Sequence, residues 1–225
     1  MRPLAAILAA LATATAVLLA DESRAADGRF RVMHAEPVIL EGLTAHSQRA
    51  SFDAYGRRFD LALEPNARLL AGVDATLLQR VYDEKLALND GAERLVAACR
   101  AAGLHTLLVT GGFAFFTERM QRRLNFDATW SNELEIIDGR LTGKVSGPAG
   151  GEIVDAEGKA QAVRDQCTEL ACPADRAIVI GDGANDLKMM ALAGISVAWR
   201  AKPVVREKAT FALSHAPLDG VLAWF

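Results

Sequence analysis

Two carboxylates and an amide lie together in the stretch Asp182-Gly183-Ala184-Asn185-Asp186. Carboxylate oxygens are hard ligands of the kind that Mg²⁺ prefers. Asp182 lies nearest the preceding apolar run and is the better metal candidate, with Asp186 as a second carboxylate that can hold a ligand or a lysine in place. The alternative is that Asn185 or Asp186 caps the following helix. A cap needs only one such residue, so the cluster favours a metal site.

A hydroxyl and two glycines, Thr110-Gly111-Gly112, directly follow an apolar run at residues 104–109. A hydroxyl at a strand end, followed by backbone N–H groups and a helix start, presents several donors to one point. That arrangement is typical of an anion site. The alternative is a tight strand-to-helix turn that needs glycine for a positive φ.

Lys159 stands near the start of a predicted helix at residues 156–170. A cation at this end of a helix opposes the helix dipole, which is unfavourable unless a negative partner lies nearby. Taken alone, such a lysine is typical of a solvated surface position. Next to an anion site it indicates a group that neutralises negative charge.

These candidates need a scaffold that alternates strands and helices, and the chain after residue 73 has that pattern. Apolar runs and the Asp138-Gly139 turn predict strands at residues 104–109, 177–181, 195–199 and 210–214 and a hairpin at residues 134–145. Helices are predicted between Gly91 and Gly103 and at residues 113–124, 156–170 and 185–193. The sequence therefore predicts an α/β fold with a mostly parallel sheet, in which ligands bind at the carboxyl ends of the strands.

Composition bounds the function classes. The chain has 225 residues, a formal net charge of -3 and 51% hydrophobic residues. This predicts one or two folded domains and argues against a nucleic-acid partner. The three cysteines, Cys99, Cys167 and Cys172, are too few and odd in number for a disulfide framework, and are typical of buried residues in a reducing compartment.

The first 25 residues point to a different compartment. An uncharged apolar stretch at residues 4–20 follows Arg2, and Ser23-Arg24-Ala25 resembles a small-x-small cleavage site. This pattern predicts a secretory signal, and hence a secreted or periplasmic protein with no stable membrane span after its removal. A membrane anchor and a leader joined from another sequence are the alternatives, although the stretch is at the short limit of about 17–25 residues for a spanning helix.

In their order along the chain, the stretches around the candidates resemble the haloacid dehalogenase superfamily and, within it, the phosphoserine phosphatases. The matching stretches, within about residues 71–225, are LLVTGGFAFFTERM, NELEIIDGRLTGKVSG, IVDAEGKAQAVRD, VIGDGANDLKMM and AGISVAWRAKPVVREKA. The resemblance implies a Rossmann-like sheet with a small cap.

The same resemblance implies the site residues and the reaction. Thr110, Gly111 and Gly112 would bind the phosphoryl group, Lys159 would neutralise it, and Asn185 would contact the substrate or its phosphate. Asp182, with Asp186, would belong to a Mg²⁺ site. The substrate would be a small phosphorylated metabolite, phosphoserine, in L-serine biosynthesis. The phosphoryl group would pass to an aspartate and then to water, with Thr110 and Lys159 as catalytic residues.

The family's nucleophile lies in an Asp-x-Asp motif at the end of the first strand, and no Asp-x-Asp occurs upstream of Thr110. Asp53 stands in the nearest lookalike, but the polar residues before it do not fit a buried strand. The sequence therefore predicts impaired catalysis and a sheet that is incomplete at its N-terminal strand and cap. Residues 31–40 and 59–63 are the candidates to fill the empty strand position.

Residues 30–72 resemble instead the propeptide of reprolysin-type secreted metalloproteases, through FDAYGRRFDLALEPNARLL. The sequence has no His-Glu-x-x-His, and its four histidines lack ligand spacing. The expected organisation is a leader at residues 1–25, a propeptide-like segment at 26–72 and a phosphatase-like α/β domain with a partial cap at 73–225.

Three functions follow from these patterns. The first is a phosphoserine phosphatase-like hydrolase with impaired catalysis. The second is a non-catalytic binder of phosphate and Mg²⁺ that uses Thr110, Gly111, Lys159 and Asp182. The third is a protease-propeptide fusion product. If the phosphatase family decides the location instead of the leader, the protein is cytoplasmic.

Overall fold

The computed structural model describes residues 14–20, 38–41, 67–68 and 70–224. The strands are β1 Ala14–Ala20, β2 Val38–Glu41, β3 Leu104–Phe113, β4 Ala128–Ile137, β5 Arg140–Ser146, β6 Ile178–Gly181, β7 Ile195–Trp199 and β8 Phe211–Leu213. The helices are α1 Thr76–Lys85, α2 Ala92–Ala101, α3 Ala114–Leu124, α4 Ala156–Glu169, α5 Leu187–Met190 and α6 Pro203–Arg206. Short 3₁₀ turns lie at Pro148–Gly150, Ala174–Arg176, Ala184–Asp186 and Leu218–Trp224.

The strands form one sheet in the order β5-β4-β3-β1-β2-β6-β7-β8. Strand β4 runs parallel to β3, and β7 runs parallel to both β6 and β8. The pair β4–β5 is an antiparallel hairpin whose turn residues, Asp138 and Gly139, have φ of 50° and 73°. Two consecutive positive φ angles match the predicted primed turn. The prediction of an α/β fold with a mostly parallel sheet is confirmed.

Helices cover both faces of the sheet, because alternate strand residues point to opposite sides. On one face Leu108 and Ile180 pack with buried residues of α2 and α3. On the other face Val109 and Val179 pack with buried residues of α4 and α5. Strands β3 and β6 are therefore buried on both sides, as their nearly unbroken apolar runs predict.

The position between β3 and β6 is filled by chain from the N-terminal region. Strand β1 pairs antiparallel with β3 over its whole length, from Ala14 opposite Thr110 to Ala20 opposite Leu104. Strands β1 and β2 both pair with Ile178 and Val179 of β6, β1 antiparallel and β2 parallel. Of the predicted fillers, the end of residues 31–40 does form a strand, whereas residues 59–63 lie outside the described part of the chain.

Strand β1 could not be predicted from its residues, because an apolar run without period-two alternation is compatible with a buried helix, a leader or a buried strand. The predicted helix at residues 185–193 is also wrong in extent. The chain there forms the 3₁₀ turn Ala184–Asp186 followed by the single turn of α5. Within the described ranges, no helix has the length and apolarity needed to cross a membrane.

Candidate functional site

A buried ion pair links helix α4 to the turn after β6. Lys159 Nζ lies 2.7 Å from Asp186 Oδ1, and the two side chains are 1% and 0% exposed. Asp155 is the N-cap of α4, and its carboxylate accepts hydrogen bonds from the backbone N–H groups of Glu157 and Gly158 at 2.8 and 2.9 Å. This cap fixes the first turn and with it Lys159. The surface alternative for Lys159 is wrong.

Asp186 also holds its own turn. Its Oδ2 accepts a hydrogen bond from the backbone N–H of Gly183 at 2.8 Å, and its side chain makes no cap bond to α5. Gly183 is the N-cap of the 3₁₀ turn Ala184–Asp186, so through this bond Asp186 does cap the start of this helical segment, in addition to binding Lys159. Because one carboxylate oxygen binds Lys159 and the other binds Gly183, the geometry favours a lysine-holding role for Asp186 over that of a metal ligand.

Asp182 and Asn185 flank this carboxylate. Asp182 directly follows β6 and is half-buried, and its backbone carbonyl accepts from the N–H of Lys202 at 3.1 Å. A Cβ on Gly183 would overlap the side-chain oxygen of the half-buried Asn185. Position 183 therefore requires glycine for space.

Thr110 and its two glycines lie within β3, which continues to Phe113. Its pairing with β4 is irregular between Val109 and Phe113. The backbone is extended here, so the tight turn with positive φ is wrong. Thr110 is 2% exposed, and its Oγ1 accepts from the N–H of Gly112 at 2.8 Å. Gly112 thus orients the hydroxyl rather than presenting an unused N–H group.

Asn132 on β4 is a site residue that the sequence analysis missed. Its amide donates to the carbonyl of Gly111 at 3.0 Å, and its side-chain oxygen accepts from the N–H of Val154 at 2.7 Å. The residue is 0% exposed. Asn132 therefore ties the strand end that carries Thr110 to the segment that leads into α4. A polar residue inside an otherwise strand-like run was the only available signal.

These contacts form one continuous chain across the carboxyl end of the sheet. Gly111 is bonded to Asn132, and Asn132 to Val154, which precedes α4. From α4, Lys159 reaches Asp186. One residue from each of the three predicted stretches, Gly111, Lys159 and Asp186, is thus linked through Asn132 and helix α4.

A second, exposed set of charges surrounds the start of α4. Hydrogen bonds from Lys188 and Arg164 lower the pKa of Glu157, and the charges of these two cations add to the effect. Lys188 Nζ lies 2.9 Å from Glu157 Oε2. The ion pair of Glu157 and Lys188 connects α4 to α5 on the outside of the protein, in addition to the buried ion pair of Lys159 and Asp186.

The donor set can be compared with the needs of a divalent cation. Within the described ranges, no group of three or more His, Cys, Asp or Glu residues could enclose a metal ion. Mg²⁺, however, is commonly bound through one or two carboxylates, with waters and substrate phosphate oxygens completing the shell. Asp182, at the end of β6, fits that mode of binding.

Comparisons with known proteins agree with this architecture. A family model of the haloacid dehalogenase-like hydrolases matches residues 12–191. The phosphoserine phosphatase of Polaromonas sp. is 47% identical over 161 residues, which are 72% of this chain and 68% of that protein. The Mycobacterium tuberculosis phosphoserine phosphatase SerB2 is 43% identical over 81% of this chain, which spans only 42% of that relative.

A solved structure supports the same assignment. The unliganded "probable phosphoserine phosphatase" of Vibrio cholerae is similar with a TM-score of 0.67 and 35% identity, covering 75% of this chain and 51% of that one. The order of helices and strands, the hydrogen bonds at the strand ends and the similarity to these proteins all indicate the same family. The chain belongs to the haloacid dehalogenase-like hydrolase family.

Proposed function

We propose that this protein is a phosphoric monoester hydrolase of the phosphoserine phosphatase type and that phosphoserine is its substrate. Thr110 and Gly111 bind the phosphoryl group at the end of β3. Lys159 neutralises its charge, and Asn185 contacts the substrate. The relatives that carry the name phosphoserine phosphatase support the substrate class.

The buried ion pair of Lys159 and Asp186 is the observation that carries the proposal. Removing an ammonium from water is unfavourable by several kcal/mol even when it is paired, so proteins seldom bury one for stability alone. Asp186 and the capped first turn of α4 hold this ammonium in one place. A fixed cation in a water-poor environment stabilises developing negative charge without having to reorganise.

Magnesium fits the same proposal through Asp182. When bound, Mg²⁺ would withdraw charge from the phosphoryl oxygens. Asp182 would bind the metal ion, while Asp186 would hold the ammonium of Lys159 through the ion pair. The hydroxyl of Thr110, oriented by Gly112, would donate its own hydrogen to a phosphoryl oxygen.

Phosphate release from phosphoserine, with and without Mg²⁺, tests the proposal. We expect Mg²⁺-dependent release that Lys159→Met and Thr110→Val each abolish, while Lys144→Met, at an exposed lysine of β5, leaves it unchanged. The lack of an Asp-x-Asp upstream of Thr110 predicts a low rate. Release that Lys159→Met does not affect would contradict the proposed site.

The lack of an Asp-x-Asp upstream of Thr110 also supports a second candidate function, a protein that binds phosphate and Mg²⁺ without turnover. Titration calorimetry with inorganic phosphate and Mg²⁺ separates the two. Binding that needs Lys159, with no phosphate release from phosphoserine, supports the binder. The propeptide-fusion hypothesis concerns residues 26–72, of which only residues 38–41 and 67–68 and residues 70–72 lie in the described part of the chain.

Export also remains a prediction, with retention in the cytoplasm as its alternative. Cleavage after the leader would remove β1, which pairs with both β3 and β6. A mature exported protein would therefore need another segment beside β3. The intact mass and N-terminal sequence of the protein from its own cell decide between the two.

A further inference from the structure

Two cysteines meet at the C-terminal end of α4. Cys167 lies in the last turns of the helix and Cys172 lies just beyond it, and the two are 5% and 8% exposed. Both are present as thiols, as is Cys99 in α2. Neither Cys167 nor Cys172 has a part in the proposed hydrolase site.

The helix terminus holds the two residues at disulfide spacing. The N–H of Cys172 donates to the carbonyl of Cys167 at 2.9 Å, and the N–H of Ala171 donates to Thr168 at 3.1 Å. Ala171 is left-handed, with φ of 49°. These are the features of a Schellman motif, in which the side chains at the positions of Cys167 and Cys172 usually touch.

Bond geometry sets an upper limit on the separation. With the 2.9 Å hydrogen bond between Cys172 and Cys167, standard backbone dimensions keep the two Cα atoms within about 6.8 Å. Disulfides span Cα separations of about 4.4–6.8 Å. The backbone therefore needs little movement to accommodate a bond between these two sulfurs.

The electrostatics of Cys167 agrees with the proximity of the two thiols given by the hydrogen bond. Burial, and after it the charge of Cys172, raises the pKa of Cys167 to about 11. The pKa of Cys99 rises to about 12 through burial alone, with no second cysteine among the causes.

We propose that Cys167 and Cys172 form a redox modification site that closes to an intramolecular disulfide on reaction with a low-molecular-weight disulfide such as oxidised glutathione. The Cys172 thiolate attacks one sulfur of the oxidant, forms a mixed disulfide and releases one glutathione thiolate. The Cys167 thiolate then attacks Cys172 and releases the second. The two cysteines lose two protons and two electrons, and the oxidant's S–S bond is reduced to two thiols.

The flanking residues show how an oxidant gains access. Ala171 and Pro173, on either side of Cys172, are exposed, and a left-handed conformation is unfavourable for alanine. The reaction requires this short segment beyond the end of α4 to open, so that Cys172 becomes exposed. The disulfide would then tie the C-terminal end of α4 to the chain leading into β6 and Asp182. Lys159 lies near the other end of the same helix.

Peptide mapping makes the site directly observable. Residues 165–176 form one tryptic peptide, DQCTELACPADR, which contains both cysteines, whereas Cys99 falls in LVAACR. The full chain is incubated with mixtures of oxidised and reduced glutathione, blocked with an alkylating agent and digested. We expect DQCTELACPADR to lose two hydrogens and to remain unalkylated, while LVAACR is alkylated.

Comparison with the unfolded chain makes the test decisive. At equal glutathione ratios, the folded protein should close the bond with an equilibrium constant at least about tenfold higher than the urea-unfolded chain, because the fold raises the effective concentration of one thiol near the other. Cys167→Ser should keep the glutathione adduct on Cys172, because the resolving thiol is gone, and Cys99→Ser should close like the parent. Equal or weaker closure in the folded chain, or only glutathione adducts in the parent, would overturn the proposal.

Discussion

The ammonium of Lys159 and the carboxylate of Asp186 form an ion pair of 2.7 Å inside the protein, between α4 and the turn after β6. Each side chain is the counter-charge of the other. Removal of either one takes away the buried counter-charge that lies 2.7 Å from the other. The two residues must therefore be treated as one unit in any mutational study.

Lys159→Met should lower the free energy of unfolding by about 3–5 kcal/mol, because it leaves the buried carboxylate of Asp186 without its cation. Urea denaturation measures the change. The double variant Lys159→Met/Asp186→Leu should regain more than half of the loss, since it removes both charges. Equal stability of the single and double variants would show that the pair is not coupled.

Asn132→Ala should destabilise the protein by about 1–3 kcal/mol for each buried backbone group left unpaired at Gly111 and Val154. It should also weaken phosphate binding, because Thr110 and α4 lose their link. Denaturation and calorimetry measure the two effects. Gln161→Ala, at an exposed residue of α4, is the control and should change the stability by less than about 0.5 kcal/mol. Phosphate affinity that survives in Asn132→Ala would refute the positioning role.

Asp127 should make folding sensitive to acid. Burial on its own raises the pKa of this carboxyl, but hydrogen bonds from Thr106 and the charges of His105 and Arg100 together outweigh burial, so the pKa lies below its usual value. A carboxyl with a depressed folded pKa stabilises the fold fully above its unfolded pKa of about 3.9. That contribution is lost as the pH falls through the folded pKa.

Asp127→Asn should therefore be less stable than the parent at neutral pH, and the difference should shrink below about pH 4. Unfolding free energies across this range measure it. Asp83→Asn, at an exposed carboxylate of α1, serves as the comparison and should stay close to the parent throughout. A difference for Asp127→Asn that is constant with pH would rule out this titration.

Val17→Pro should disrupt the centre of the sheet. Val17 pairs with Leu107 of β3 and with Val179 of β6. Proline lacks the N–H group that a central strand must donate, which leaves a buried acceptor unpaired at about 1–3 kcal/mol. Hydrogen exchange at the amides of β3 should become faster. Val17→Ile retains the N–H and should not have this effect, and unchanged exchange in Val17→Pro would place β1 outside the sheet.

Local chemistry made much of the fold predictable. Asp138-Gly139 and Gly103 mark a primed turn and a helix end because their positions require positive φ. Site candidates could be found because parallel strands place their carboxyl ends at one edge. The burial of Lys159 could not be predicted, since its partner Asp186 lies in another element and only the folded chain brings them together.

Asn132 and β1 show the other limit of sequence reasoning. An asparagine inside a strand pattern carries no signal for the two backbone segments that it joins. The apolar run at residues 14–20 fits a leader as well as a strand, since hydrophobicity alone does not distinguish a membrane from a protein interior. In both cases the structure depends on contacts between residues that are far apart in the sequence.

Strand β1 can complete its pairing only late in the synthesis of the chain. Its partners come late in the chain, because Ala20 pairs with Leu104 and Val17 with Val179. Contacts this distant in sequence form slowly, and an apolar segment left waiting on the ribosome is prone to aggregate or to be captured by chaperones. The yield of folded protein will therefore depend on how long this segment is shielded before β6 has been made.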